Sequence, residues 1–415
     1  MSIHAIGVLG LALAFIIGTF RPVNLGAVAL VMTFLVGSLA AGESPAAMAS
    51  GFPVELFVLL AGVTYLFGVA SRNGTVERIV EGAVRSAGGR RAWIPWTVFV
   101  VASLPAMAGA LGSAGVALLA PLSLRVAERY DIDRRMIGLM VVHGAAAGNF
   151  SPLNVLNAIV TRAIATAGLD MSAATLFFGN LAYNVGLAGV IFVAFGGLKL
   201  ARQPATIDPP SAAARRSGLP LDQGLTLLAL AGVAVAALGF GYNIGFVAFT
   251  AAVLLHLTFP ASSAGAEKRI AWEVVLLVCG VVTYVSALQR YGTVDAVGGA
   301  IASLGSPLVV ALLLSAVGAV TSALASSAGI LGALVPLAVP LLAQGDIGTT
   351  GVVVALAISA TVVDATPFST VGALVVANTA DDERAFVYRG LLAWGGVMVV
   401  TAPIVTWLVF ILPGL

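Results

Sequence analysis

Apolar residues fall in blocks separated by short polar or basic interruptions, and most blocks are about as long as the ~20 residues that carry a helix across a bilayer. Ten segments have this character, at roughly 3–20, 23–42, 54–71, 134–168, 172–198, 222–239, 243–260, 271–289, 348–379 and 387–412. Two of them, 134–168 and 348–379, are interrupted at their centres by Gly, Pro and polar residues. Two further stretches, about 93–124 and 305–343, are Gly- and Ser-rich in the middle. They read as helices that enter, turn and leave on the same side. The pattern predicts an all-α polytopic membrane protein.

Composition agrees: 60% of the 415 residues are apolar and 9% are charged, against about 25% charged in a soluble domain. The N-terminal run Ile3–Phe20 has no basic residue before it and is expected to be a retained span. The lone cysteine, Cys279, excludes an internal disulfide and is expected to be packing. Charge placement sets the orientation. With the N-terminus outside, 18 of the 20 Lys and Arg fall on one face, all but Arg162 and Arg290. The positive-inside rule makes that face cytoplasmic, with both termini outside a bacterial-type inner membrane. Counting either hairpin as a full crossing would scramble this bias. The basic runs at Arg90–Arg91 and Arg134–Arg135 are then solvated loops, and no nucleic-acid partner is expected. The one long polar stretch, Ala201–Gln223, reads as a cytoplasmic linker over 201–221.

An internal repeat organises the rest. Asn24-Leu25-Gly26 recurs as Asn243-Ile244-Gly245, Thr64-Tyr65 as Thr283-Tyr284, and Gly74-Thr75-Val76-Glu77 as Gly292-Thr293-Val294-Asp295. Ser113-Ala114-Gly115 recurs as Ser327-Ala328-Gly329, Pro121 as Pro336, and Ser151-Pro152 as Thr366-Pro367. The offset drifts only between 214 and 219. The first repeat is 1–200 (helices 1–91, then hairpin and broken helix 92–200). The second is 222–415 (222–303, then 304–415). Each has an odd number of crossings, five, so the second is inverted relative to the first. Inverted repeats with broken helices are the architecture of secondary transporters, whose sites lie where the helices break.

The first break reads Gly148-Asn149-Phe150-Ser151-Pro152-Leu153-Asn154 and the second Val363-Asp364-Ala365-Thr366-Pro367-Phe368-Ser369-Thr370. Proline removes a backbone donor and disfavours helix before it. The freed groups must be satisfied by protein or by a watery cavity at membrane depth. Freed carbonyls suit a cation; a half-helix N-terminus suits an anion. Candidate substrate ligands are Ser113, Ser151, Asn154, Asn157, Ser326, Ser327, Thr366, Ser369 and Thr370. Candidate cation or proton groups are Gly148, Asn149, Ser113, Ser327 and Asp364. Asp364 is the one acid expected near the midplane, where an ionisable group is functional by default, and it aligns with Asn149. Arg162 could meet an anion or extend to the outer interface. His143 is expected to be a satisfied core histidine, and the repeat-matched Glu55 and Glu273 to complement helix N-termini.

In repeat order, hairpins and breaks the chain resembles the ion transporter superfamily, and within it the divalent anion/sodium symporters, most of all the MatC-type dicarboxylate (malonate) carriers. The symporters carry a Ser/Thr-Pro-Pro-Asn signature at each break, where this chain has Ser151-Pro152-Leu153-Asn154 and Thr366-Pro367-Phe368-Ser369. They carry a Ser-Asn-Thr triplet at each hairpin tip, where it has Leu111-Gly112-Ser113 and Ser326-Ser327-Ala328. The resemblance implies a homodimer, a fixed scaffold, an elevator-like transport domain, and a small dicarboxylate (malonate, malate or succinate-like) moved with sodium or protons. Sodium is the one metal ion it implies, and no cofactor. An antiporter or a carrier of another anion is the alternative on this fold. An intramembrane enzyme is disfavoured, since there is no HExxH and His4, His143 and His256 are scattered.

Overall fold

The computed structural model describes residues 2–21, 23–76, 78–79, 82, 91–202, 219–294, 296–297, 306–323, 327–345 and 347–414. Ser326, Glu77, Asp295, Arg90 and most of the 201–221 linker lie outside the described residues. Among those described there are helices and turns and no strand. The principal helices of the first half are α1 (Ile3–Phe20), α2 (Leu25–Val36), α3 (Val54–Arg72), α4 (Trp93–Met107), α5 (Gly112–Arg129), α6 (Arg134–Gly148), α7 (Val155–Thr166) and α8 (Ala173–Ala194). The second half repeats them in order as α9 (Leu221–Phe240), α10 (Ile244–Thr258), α11 (Trp272–Arg290), α12 (Pro307–Ser322), α13 (Ser327–Leu342), α14 (Thr349–Val362), α15 (Thr370–Ala377) and α16 (Asp381–Thr406). Both expected hairpins (α4–α5 and α12–α13) and both broken helices (α6/α7 and α14/α15) are present.

Boundaries differ in three places. α16 starts at Asp381, not near 387, because Asp381, Asp382 and Glu383 in its first turn complement the helix dipole and carry the helix out past the apolar zone. α10 stops at Thr258, since Pro260 follows. α2 widens into a π-turn over Gly37–Ala41 and is closed by Gly42 in the left-handed region.

The repeated Asn-x-Gly motif has two physical jobs. Asn24 caps α2 through Gly26 N and Ala27 N, and Asn243 caps α10 through Phe246 N. The glycine lets backbones meet. A Cβ on Gly26 would sit 2.0 Å from Leu276 O in α11, and one on Gly245 would sit 2.6 Å from Leu59 N in α3. So α2 crosses α11, and α10 crosses α3, at contact distance. α1 joins this crossed group through Tyr284 on α11, which is fully buried and donates to Gly7 O at 2.9 Å.

The hairpins and broken helices form a second group. α4 packs on α6 as α12 packs on α14, and α8 packs on α6 as α16 packs on α14. The half-helices interlock across the repeats, α7 with α13 and α15 with α5. The two groups meet unevenly. α13 packs on α11 and α7 on α3, whereas α5 reaches α3 through a small separate cluster of Phe67, Ala110 and Ala114.

Polar contacts sort the loops by face. On the basic face Arg72 donates to Ala264 O, Arg269 to Ser71, Asn73 to Thr226 and Asn24 to Glu273 O, and Arg134 pairs with Glu383 at 2.5 Å. On the other face Ser172 N donates to Thr350, and Arg290 pairs bidentately with Glu43, which also accepts from Tyr291. Arg290's hydrogen bond holds the Glu43 carboxyl below its ordinary pKa, against the opposing effect of burial and with help from Tyr291.

Two outcomes follow from this packing. Gly26→Ala forces α2 off α11 and is expected to cost about 1–3 kcal/mol, read as a lower melting temperature in detergent; Gly186→Ala, with no atom near the added Cβ, is expected to leave it unchanged. A depressed Glu43 pKa adds stability that is present at neutral pH and lost as pH falls through it. Glu43→Gln is therefore expected to lower the melting temperature at pH 7, with the gap to wild type closing in acid.

Candidate functional site: a cavity at the hairpin tips and helix breaks

At the first break the chain leaves α6 with Asn149 and turns at Phe150, which is fully buried and held at φ +63°. A left-handed conformation is costly for a bulky residue and persists only where the surroundings fix it. Here they do. Ser151 Oγ donates to Met107 O at 2.8 Å, and Asn154 Nδ2 donates to Ala106 O and Ala110 O at 2.8 and 3.1 Å. Asn154 Oδ1 meanwhile caps α7 through Leu156 N. Carbonyls left open where α4 ends are thereby satisfied by the break beside them.

The second break repeats the device. Thr366 Oγ1 donates to Ala323 O at 2.7 Å, the carbonyl just past α12. Ser369 caps α15 through Gly372 N and donates back to Asp364 O. Here a 3-10 turn, Val363–Ala365, replaces the left-handed residue.

Between tips and breaks lies a cavity of about 180 Å³, smaller than the ~300–1,000 Å³ typical of drug-sized ligands. Gly112 and Ser113 line it from the start of α5, Leu156 from α7, Ser327 and Ala328 from α13, and Thr370 and Val371 from α15. The N-terminal ends of all four half-helices thus face one space, each an electropositive terminus. Asn149 and Asp364, the repeat-matched pair, form part of the wall, and Glu273, Val274 and Leu277 of α11 close it from the crossed group.

The two acceptors differ in state. Asp364 Oδ2 accepts from Ser327 Oγ at 2.6 Å, and Ser327 in turn accepts from Ser322. Asn149 is 6% exposed, and its Oδ1 is buried without a partner. It lies 3.7 Å from where a Cβ on Gly112 would be. An unpaired buried carbonyl oxygen is costly and calls for a donor or a cation. The charged residues on the cavity wall, Asp364 and Glu273, are both acids.

A hydrogen-bond relay steadies the first break from behind. Trp394 Nε1 donates to His143 Nε2 at 2.8 Å, which leaves the ring proton on Nδ1, 3.1 Å from Asn184 Oδ1. Asn184 donates to Asn180 Oδ1, and Asn180 donates to Ala146 O and Asn149 O. Both nitrogens of His143 are used, which fits the expected satisfied core histidine.

The structure therefore brings Ser113, Asn149, Ser327, Asp364 and Thr370 to one cavity. Ser151, Asn154, Thr366 and Ser369 lie beside it, and their side chains tie breaks to hairpins and cap half-helices. Gly148 abuts Ser103 O, and Asn157 is buried with an unpartnered Oδ1 outside the cavity lining. Sequence reasoning gave Glu55 and Glu273 only a helix-start role. Both do sit in first turns, but Glu273 also lines the cavity and Glu55 pairs with Arg162. Ser151→Ala and Thr366→Ala each strand a carbonyl and are expected to cost about 1–3 kcal/mol; matched losses of melting temperature in the two variants would check the equivalence of the breaks.

Comparison with known proteins agrees with this arrangement. Residues 1–149 match the family model of the dicarboxylate carrier protein MatC N-terminus, and residues 243–414 match that of the citrate transporter family. The fold is similar to the crystal structure of the YdaH transporter of Alcanivorax borkumensis, with a TM-score of 0.61 at 14% identity over 98% of this chain and 97% of that one. No curated protein matches the sequence significantly. Both matched families are named for transport, and the expected likeness to MatC-type carriers holds as a likeness: the chain is similar to the dicarboxylate carrier family over residues 1–149 and to the citrate transporter family over residues 243–414.

Proposed function

We propose that the protein carries a small dicarboxylate across the membrane together with sodium ions or protons. Malonate, malate and succinate are the first substrates to consider, with citrate close behind because the second family is named for it. The observation that supports this most is the charge pattern of the cavity. Four helix N-termini, each an electropositive end, border the cavity, yet the charged side chains on the wall are the acids Asp364 and Glu273. A dianion entering beside Asp364 meets a like charge at membrane depth, where uncompensated charge is expensive. A cation at Asp364 or Asn149 Oδ1, or a proton on Asp364, removes that conflict. Coupling is then a condition of binding and not an added feature.

In this reading Ser113, Thr370 and the neighbouring N–H groups hold carboxylate, with Ser327 and Asp364 on the coupling side. Ser326 is assigned to the same tip from its place in the sequence. The crossed group α2, α3, α10 and α11 is the scaffold. The hairpin group moves past it as an elevator, and the uneven packing of the two groups is what one end state of such a movement looks like. The scaffold's exposed apolar flank, with Phe246, Leu254 and Leu257, suits lipid or a second copy in a homodimer.

The test is uptake of labelled malonate, malate, succinate and citrate into liposomes holding the purified protein, with sodium and proton gradients imposed separately. One gradient is expected to drive uptake, and Asp364→Asn is expected to cut gradient-driven uptake at least tenfold, the effect of about 1.4 kcal/mol. Coupled uptake that survives Asp364→Asn unchanged contradicts the role given to Asp364. No uptake of any of the four under either gradient contradicts the carrier reading.

A further inference from the structure

Two arginines stand apart from the basic face, Arg162 and Arg290. Arg290 is committed within the scaffold to Glu43, which also accepts from Tyr291. Arg162 is placed differently. It rises from α7, in the hairpin group, and its guanidinium reaches across to the carboxylate of Glu55 in the first turn of α3. The pair spans the junction of the two groups at the edge of a second cavity of about 250 Å³, whose polar lining includes Ser50, Thr166, Ser286 and Gln289. Leu156, Ile159 and Arg162 follow one another at intervals of three along α7, so they share one face of the helix. Leu156 lines the central cavity, and Ile159 and Arg162 line this one.

The inverted repeat supplies an internal comparison. At the offset of 218 that relates the bounds of α3 to those of α11, and Gly74 to Gly292, Glu55 corresponds to Glu273. At the offset of 215 that relates the breaks, Arg162 corresponds to Ala377. The glutamate is present at both ends of the scaffold, while the arginine is present at one. A latch serving both end states would be duplicated with the repeat; this arginine is not. The pair is also half open to solvent, with side chains 48% and 63% exposed, and ion pairs of that kind hold weakly and exchange readily.

We propose that Arg162 is a peripheral anion site for a carboxylate substrate and that Glu55 is its built-in competitor. In the state seen here one guanidinium nitrogen of Arg162 is held by one oxygen of the Glu55 carboxylate, and a substrate carboxylate that replaced Glu55 could engage the planar fork with both its oxygens. A dicarboxylate reaching the second cavity displaces Glu55, is held at Arg162, and lies on the face of α7 that leads to the central cavity. This rests on the carrier reading above and adds the route by which the anion enters or leaves on the face opposite the basic loops.

The competition has a signature that a structural latch lacks. If the pair only braces the two groups, removing either partner moves transport in the same direction. If Glu55 competes with substrate, the two removals act oppositely. Labelled malonate is supplied on the Arg162 face of oriented proteoliposomes, and KM and kcat are measured for wild type, Glu55→Gln, Arg162→Gln and Arg162→Lys, with melting temperatures as the folding control. Glu55→Gln is expected to lower KM about two- to fivefold, and Arg162→Gln to raise it about three- to tenfold. Arg162→Lys, which keeps the charge without the fork, is expected to fall between. Shifts of KM in the same direction, or none, overturn the proposal while leaving the carrier reading intact. Should Arg162→Gln fail to fold, a KM that does not fall in Glu55→Gln overturns it alone. A wild-type protein that takes up no malonate, malate, succinate or citrate overturns the carrier reading and this inference with it.

Discussion

A backbone interrupted inside a membrane must have its polar groups satisfied by other protein, and this requirement shapes the whole structure. The hydroxyls of Ser151 and Thr366 meet the carbonyls of Met107 and Ala323. Each break therefore needs its hairpin, and each hairpin its break. Because the two breaks are related by the repeat, the hairpin tips are brought together, and the cavity follows from that meeting. Of the four helix N-termini that border it, two follow the breaks and two follow the hairpin tips.

Much of this was legible in the residues. The paired proline breaks, the Gly- and Ser-rich hairpin centres and the placement of basic residues each carry a local physical cause, and the helices formed where those causes act. The Asn-x-Gly motif was visible as a repeat, but its two tasks, capping and close approach, became visible only when α2 was seen against α11. Five of the candidate site residues line the cavity. Ser151, Asn154, Thr366 and Ser369 were equally visible as polar residues at a break, yet their side chains secure the break and do not face the space it makes. Sequence spacing says which residues share a break and not which way each side chain turns.

Glu55, Glu273 and Arg162 show the other limit. A glutamate in the first turn of a helix has a sufficient local explanation, so a longer-range role leaves no mark within one half of the sequence. The mark lies in the comparison of halves: the repeat preserves the glutamate and not the arginine. The same comparison gives Asn149 and Asp364 their meaning, one position with a neutral acceptor in one half and a titratable one in the other. Asymmetry within a repeat is where coupling and direction can be built, because the symmetric parts serve both end states alike.

The space between tips and breaks, proposed as the transport site, has Glu273 on its wall just after the basic residues Lys268 and Arg269, which puts its access on the basic face. That claim is tested most directly by placing a single cysteine at Val371, on the cavity wall, in a Cys279→Ala background, and labelling with a membrane-impermeant maleimide from each side. Labelling is expected from the face carrying the basic loops, with protection by malonate that requires the coupling ion. Labelling that malonate leaves unchanged, with or without sodium or protons, would contradict it.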